Sequence, residues 1–80
     1  MSKTTKTLAK MKANPRDWRI DQLETIAEGF GFSVRKTGGS HFVFIHEALE
    51  EQITIPSRRP VKPIYVTKLV MLIEKLEKES

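Results

Sequence analysis

One of the chain's two histidines, His41, ends the run Gly38-Gly39-Ser40-His41. An imidazole ordinarily titrates at a pH of about 6.5, so near neutrality it can either take or give a proton. Arg35 and Lys36 precede the glycines, and Arg58, Arg59 and Lys62 follow downstream. Guanidinium and ammonium groups bind phosphodiesters and stabilise charge on their non-bridging oxygens. RNA brings its own nucleophile, the 2′-hydroxyl. Cutting its backbone therefore needs little beyond a proton acceptor, a proton donor and cations. One histidine in a basic groove is a minimal set for that chemistry. The plain alternative is a half-exposed strand histidine beside a turn. Gly38 and Gly39 do not decide between the two, because hairpin loops call for positive-φ glycines whatever the function.

Other chemistries fit the residues poorly. His41 and His46 lie five residues apart on one stretch of strand pattern, so they point to opposite faces and cannot share a metal. Glu47 shares the parity of His41, but six residues of regular strand separate them by roughly 20 Å. There is no H-x-x-x-H, no calcium-binding loop and no Walker or Rossmann glycine pattern. The glycines at 29 and 31 precede a strand, which is the wrong context for dinucleotide binding. No metal and no small-molecule cofactor is expected. His46 shares a face with Phe42 and Phe44 and reads as a residue at the edge of the core.

The elements that must position His41 follow from periodicity. Residues 1–13 are Lys/Thr-rich and weakly amphipathic through Leu8 and Met11, and read as a basic arm, frayed or a short helical turn. Residues 14–80 then form one domain. Pro15 restricts Asn14 to extended or turn conformations. Ile20, Leu23, Ile26, Ala27 and Phe30 make an amphipathic helical stripe, with Asp21 and Glu24 in capping-box spacing predicting a start near Asp21 and Gly29 and Gly31 predicting the stop. Three alternating stretches follow: FSVRK from Phe32, HFVFIHE from His41 and QITIP from Gln52. They predict a three-stranded antiparallel meander, covered on one face and open on the other. Strand parity puts Ser33 and Arg35 on the face of His41. A basic loop punctuated by Pro56, Pro60 and Pro63 leads to a final helix with one apolar row through Tyr65, Leu69, Leu72 or Ile73, and Leu76, and a parallel row through Val66, Val70 and Ile73. The expected fold is α+β, in the order α-β-β-β-α, with two helices on one face of the sheet. Double-stranded RNA-binding domains share that order, which by itself carries no function.

Eighty residues make one domain, which buries only about 60% of its unfolded surface. Without cysteine, neither disulfides nor a catalytic thiol is available. The basic, polar start and the lack of about 18 consecutive apolar residues point to a soluble, cytoplasmic protein with no membrane association. Net charge is +4, unevenly spread: six Lys/Arg against Asp17 give residues 1–20 a charge of +5, residues 21–31 carry −3, residues 32–68 carry +3 and the rest −1. Clustered positive charge suits a polyanionic partner, although many small basic domains bind nothing specific.

Taken in order, GFSVRKT, GGSHFVF and ITIPSRRPVKPIYVTKLVMLIE resemble the HicA family of toxin mRNA interferases, and NPRDWRIDQLETIAEGFGF resembles that family's lead into its first helix. The resemblance spans about residues 14–76. It implies a fold like that of double-stranded RNA-binding domains, metal-independent endoribonuclease activity on mRNA, growth arrest by the free toxin, and a HicB-type antitoxin that occludes the active site. The family's catalytic histidine corresponds to His41, with Gly39 and Ser40 as positioning residues of the same motif. Arg35, Lys36, Arg58, Arg59 and Lys62 are the bases available to contact RNA phosphates. One departure stands out. Relatives with this kind of third loop often read Pro-x-His, where this chain has Pro56-Ser57-Arg58. Arg58 supplies charge but not proton transfer, so the general acid stays unassigned. Two other readings remain: a non-catalytic RNA-binding module of the same fold, and a protein-interaction domain whose basic face meets an acidic partner.

Overall fold

Among residues 3–58 and 60–79, which the computed structural model describes, six elements follow one another. They are α1 (Lys3–Ala13), α2 (Ile20–Gly29), β1 (Ser33–Thr37), β2 (His41–Ile45), β3 (Ile53–Pro56) and α3 (Pro63–Glu79). The expected α-β-β-β-α order is present from α2 onward, with α1 added in front.

Helix α2 begins one residue before the expected start. Its cap is Arg19, whose N–H donates to Gln22 Oε1 at 2.9 Å, rather than the Asp21–Glu24 pair. Arginine has no acceptor, so only this return half of a capping box operates. The helix ends as the glycines require. Gly31 takes φ 91°, its N–H donates to the Glu28 carbonyl, and the Phe32 N–H donates to the Ala27 carbonyl, both at 3.0 Å. That is a Schellman closure, and it turns the buried Phe32 back onto the helix.

The sheet has the order β1-β2-β3, antiparallel throughout. Val34, Phe44 and Ile53 stand in one cross-strand row and Lys36, Phe42 and Ile55 in another. This face, with Phe44 and Ile55 fully buried, meets the helices. The other face carries the rows Arg35–Val43–Thr54 and Thr37–His41–Pro56. Helix α3 closes the core with Val66, Leu69, Val70 and Ile73, and Pro63 occupies its first turn as its fixed φ favours.

Helix α1 is the main difference from the expected arrangement. Its 11 residues pack on α2 and α3, burying Leu8 and all of Met11. Two apolar residues three apart are a faint periodic signal, yet they land on one helical face and complete the core. Lys12 Nζ also meets Glu74 Oε2 at 2.6 Å. The hydrogen bond that Lys12 donates to Glu74, and then that carboxylate's charge, raise the Lys12 ammonium above its ordinary 10.5. On the lysine side, the bridge's contribution is full below the ordinary lysine range and fades as alkali deprotonates the ammonium.

Candidate functional site

His41 owes its position to the hairpin before it. Gly38 and Gly39 take φ 59° and 73°, and a Cβ at either would meet nothing within 4 Å. The demand for glycine is thus conformational, since side chains resist the left-handed region even in open space. The turn returns the chain so that His41 pairs with Thr37 on one side and Pro56 on the other. Just beyond that row, the Ser57 N–H donates to the Ser40 carbonyl at 2.9 Å, which continues the β2–β3 ladder past its proline. The Arg58 N–H then donates to the Pro56 carbonyl at 2.9 Å and bends the chain toward α3.

Beside these bonds opens a pocket of about 470 Å³, lined by Ser40, His41, Pro56, Ser57, Arg58, Lys62 and Tyr65. Ser40 Oγ lies 3.2 Å from His41 Nδ1. With Nδ1–H donating to that hydroxyl, Nε2 presents its lone pair, and Nε2 has no hydrogen-bond partner among the described residues. Arg58 and Lys62 are exposed, and neither has an ion-pair partner among the described residues. Lys62 also immediately precedes α3, its carbonyl accepting from the Tyr65 N–H at 2.9 Å. The positive end of that helix dipole therefore lies by the same pocket. A proton acceptor, two cations and a phenol share one opening.

The remaining candidates are placed elsewhere. Arg35 is on the His41 face, as parity requires, but it stands opposite Val43 and outside the pocket wall. Lys36 is on the helix-covered face: its ammonium is 3.7 Å from Glu24 Oε2 on α2 and 5.3 Å from the centre of the Phe42 ring. Parity explains this, because adjacent strand residues point to opposite faces. Gly39 shapes the turn without lining the pocket, and Arg59 lies outside the described residues. His46 is structural. Its Nδ1 accepts from the Ala48 N–H at 3.0 Å, which leaves Nε2–H to donate to the Phe30 carbonyl at 3.2 Å, and its ring meets Phe32 edge-on.

Compared with family models, curated proteins and solved structures, this chain matches none. Ser57 also lines the pocket, and so does Tyr65, which the sequence pattern places in the apolar row of α3 and which packs partly against the core as well. Pro63 was the available signal for Tyr65, since a proline opening a helix puts the residue two positions on in the first turn. Among the described residues no group of three or more His, Asp or Glu could hold a metal ion, and no helix is long and apolar enough to cross a membrane.

Proposed function

We propose that this protein is a metal-independent endoribonuclease of the HicA type, a cytoplasmic toxin that cleaves mRNA and is held in check by a HicB-type antitoxin covering the pocket. A double-stranded-RNA-binding-domain-like layer of α2, the three strands and α3 is its scaffold. The observation that carries this reading is the convergence of His41, Arg58, Lys62 and Tyr65 on one pocket, together with the sequence resemblance.

In the proposed reaction, Arg58 and Lys62 bind the non-bridging oxygens of the scissile phosphate. His41 Nε2 takes the proton of the 2′-hydroxyl, and that oxygen attacks phosphorus. The P–O5′ bond breaks, and the Tyr65 phenol protonates the departing 5′-oxygen. The products are a 2′,3′-cyclic phosphate and a 5′-hydroxyl. Ser40 Oγ accepts from Nδ1–H in the tautomer this requires. The test is incubation of the purified protein with single-stranded RNA in excess EDTA, followed by end-group analysis. Cyclic or 3′-phosphate ends support the reading, and 3′-hydroxyl ends or no cleavage refute it.

A non-catalytic RNA-binding module is the second reading, favoured by one feature: Arg58 stands where relatives often offer a second histidine. It predicts salt-dependent RNA affinity with no degradation on long incubation.

A further inference from the structure

The segment that carries Arg58 and Lys62 is tied to a distant part of the chain. Between those two residues, the buried Val61 donates its N–H to the Trp18 carbonyl at 2.8 Å. The 14–19 loop is thereby pinned beside the His41 pocket, and it opens a second pocket of about 470 Å³. Lys10, Asn14, Arg16, Asp17, Trp18 and Gln22 line it. The indole is fixed in place, its Nε1–H donating to the Asn14 carbonyl at 2.7 Å. It packs partly against the core while also lining this pocket, and it is half-buried. Lys10 and Arg16 have no ion-pair partner among the described residues, and they outweigh the single negative charge of Asp17. Asp17 itself takes φ 62°, the chain's one left-handed non-glycine among the described residues. Such strain collects at functional sites.

Core packing accounts for the buried part of Trp18. It does not account for an open pocket lined by the indole together with two cations that have no ion-pair partner among the described residues. Aromatic faces flanked by positive charge are how proteins hold single-stranded nucleic acid: a base stacks, and the cations follow the backbone.

We propose that Trp18, Lys10 and Arg16 form a second subsite for single-stranded RNA. One unpaired nucleobase stacks on the indole, and the adjoining phosphates meet Lys10 and Arg16. A strand bound at His41 continues across the Val61–Trp18 junction into this subsite. The inference rests on the RNA-cleaving function proposed above and adds to it a preference for unpaired substrate.

Trp18 is the only tryptophan, so its fluorescence reports the subsite directly. The probe is an unstructured RNA of about 12 nucleotides, within the span single-strand sites cover, with 2′-O-methyl riboses that lack the nucleophile. It quenches the fluorescence saturably, and the same strand in a full duplex does not. Trp18→Leu, which keeps an apolar side chain against the core, weakens binding of labelled probe about tenfold. Lys10→Ala combined with Arg16→Ala flattens the salt dependence. Equal quenching by duplex overturns the subsite. So does binding that leaves both fluorescence and the Trp18→Leu affinity unchanged, and if wild-type protein still cleaves RNA in EDTA, the His41 reading survives that result. No binding of any RNA overturns both. If Trp18→Leu fails to fold, the wild-type quenching comparison decides.

Discussion

Ser57 donates its backbone N–H to the carbonyl of Ser40 at 2.9 Å, so the residue before His41 and the residue before Arg58 are held together by a single bond. Seventeen positions of sequence separate His41 from the cation proposed to serve it, and one extra rung of a sheet ladder removes that distance. Prolines usually end strands because they cannot donate. Here Pro56 ends β3 and leaves Ser57 to donate in its place. The loop that follows can then wrap around the open end of the hairpin toward α3.

If that ladder sets the phosphate site, cations near His41 in sequence and cations near it in space must behave differently. Arg58→Ala lowers kcat/KM for RNA by about 10–100-fold, the loss expected from one charge-assisted hydrogen bond of about 1.5–3 kcal/mol. Lys36→Ala changes kcat/KM less than about threefold, because its ammonium faces Glu24 and Phe42 on the other side of the sheet; losing that exposed bridge costs at most about 1 kcal/mol of stability. Steady-state cleavage of a fluorogenic RNA separates the two, and equal losses would contradict the placement.

Tyr65 is proposed to protonate the leaving oxygen, which separates its effect from that of Lys62. Tyr65→Phe keeps the ring and removes only the hydroxyl, so kcat falls by about 100-fold with KM little changed. Lys62→Ala instead raises KM more than it lowers kcat. A Tyr65→Phe protein with wild-type kcat would move the acid role to another group.

Helix α1 makes a prediction about stability alone. Met11 is fully buried, so Met11→Ala destabilises the protein by about 2–5 kcal/mol, measurable as a lower urea midpoint. In a domain of this size that is a large share of the total stability. An unchanged midpoint would mean that α1 contributes no core.

The sheet was legible in the sequence because alternation has a period of two and each slip would turn Phe44 outward. Parity also placed His41 and Arg35 on one face correctly. It would equally have removed Lys36 from the site, had adjacent bases not looked interchangeable in a list of charges. Helix α1 was harder to read, since Leu8 and Met11 are too few to fix a period, and only packing against α2 and α3 reveals what they do. The Arg19–Gln22 cap was hidden because arginine is not a capping residue and the pair works through the glutamine alone. The Val61–Trp18 bond joins backbone atoms 43 positions apart, and backbone bonds at such range leave no mark on residue type.

Whether His41 moves the proton in RNA cleavage is read by comparing wild type with His41→Ala on single-stranded RNA in excess EDTA. Because His41 is exposed, the variant should match the wild-type circular dichroism and melting temperature. Wild type cleaves to 2′,3′-cyclic phosphate ends, and the variant loses at least about 100-fold of that rate. A folded His41→Ala protein that cleaves at the wild-type rate would contradict that role for His41.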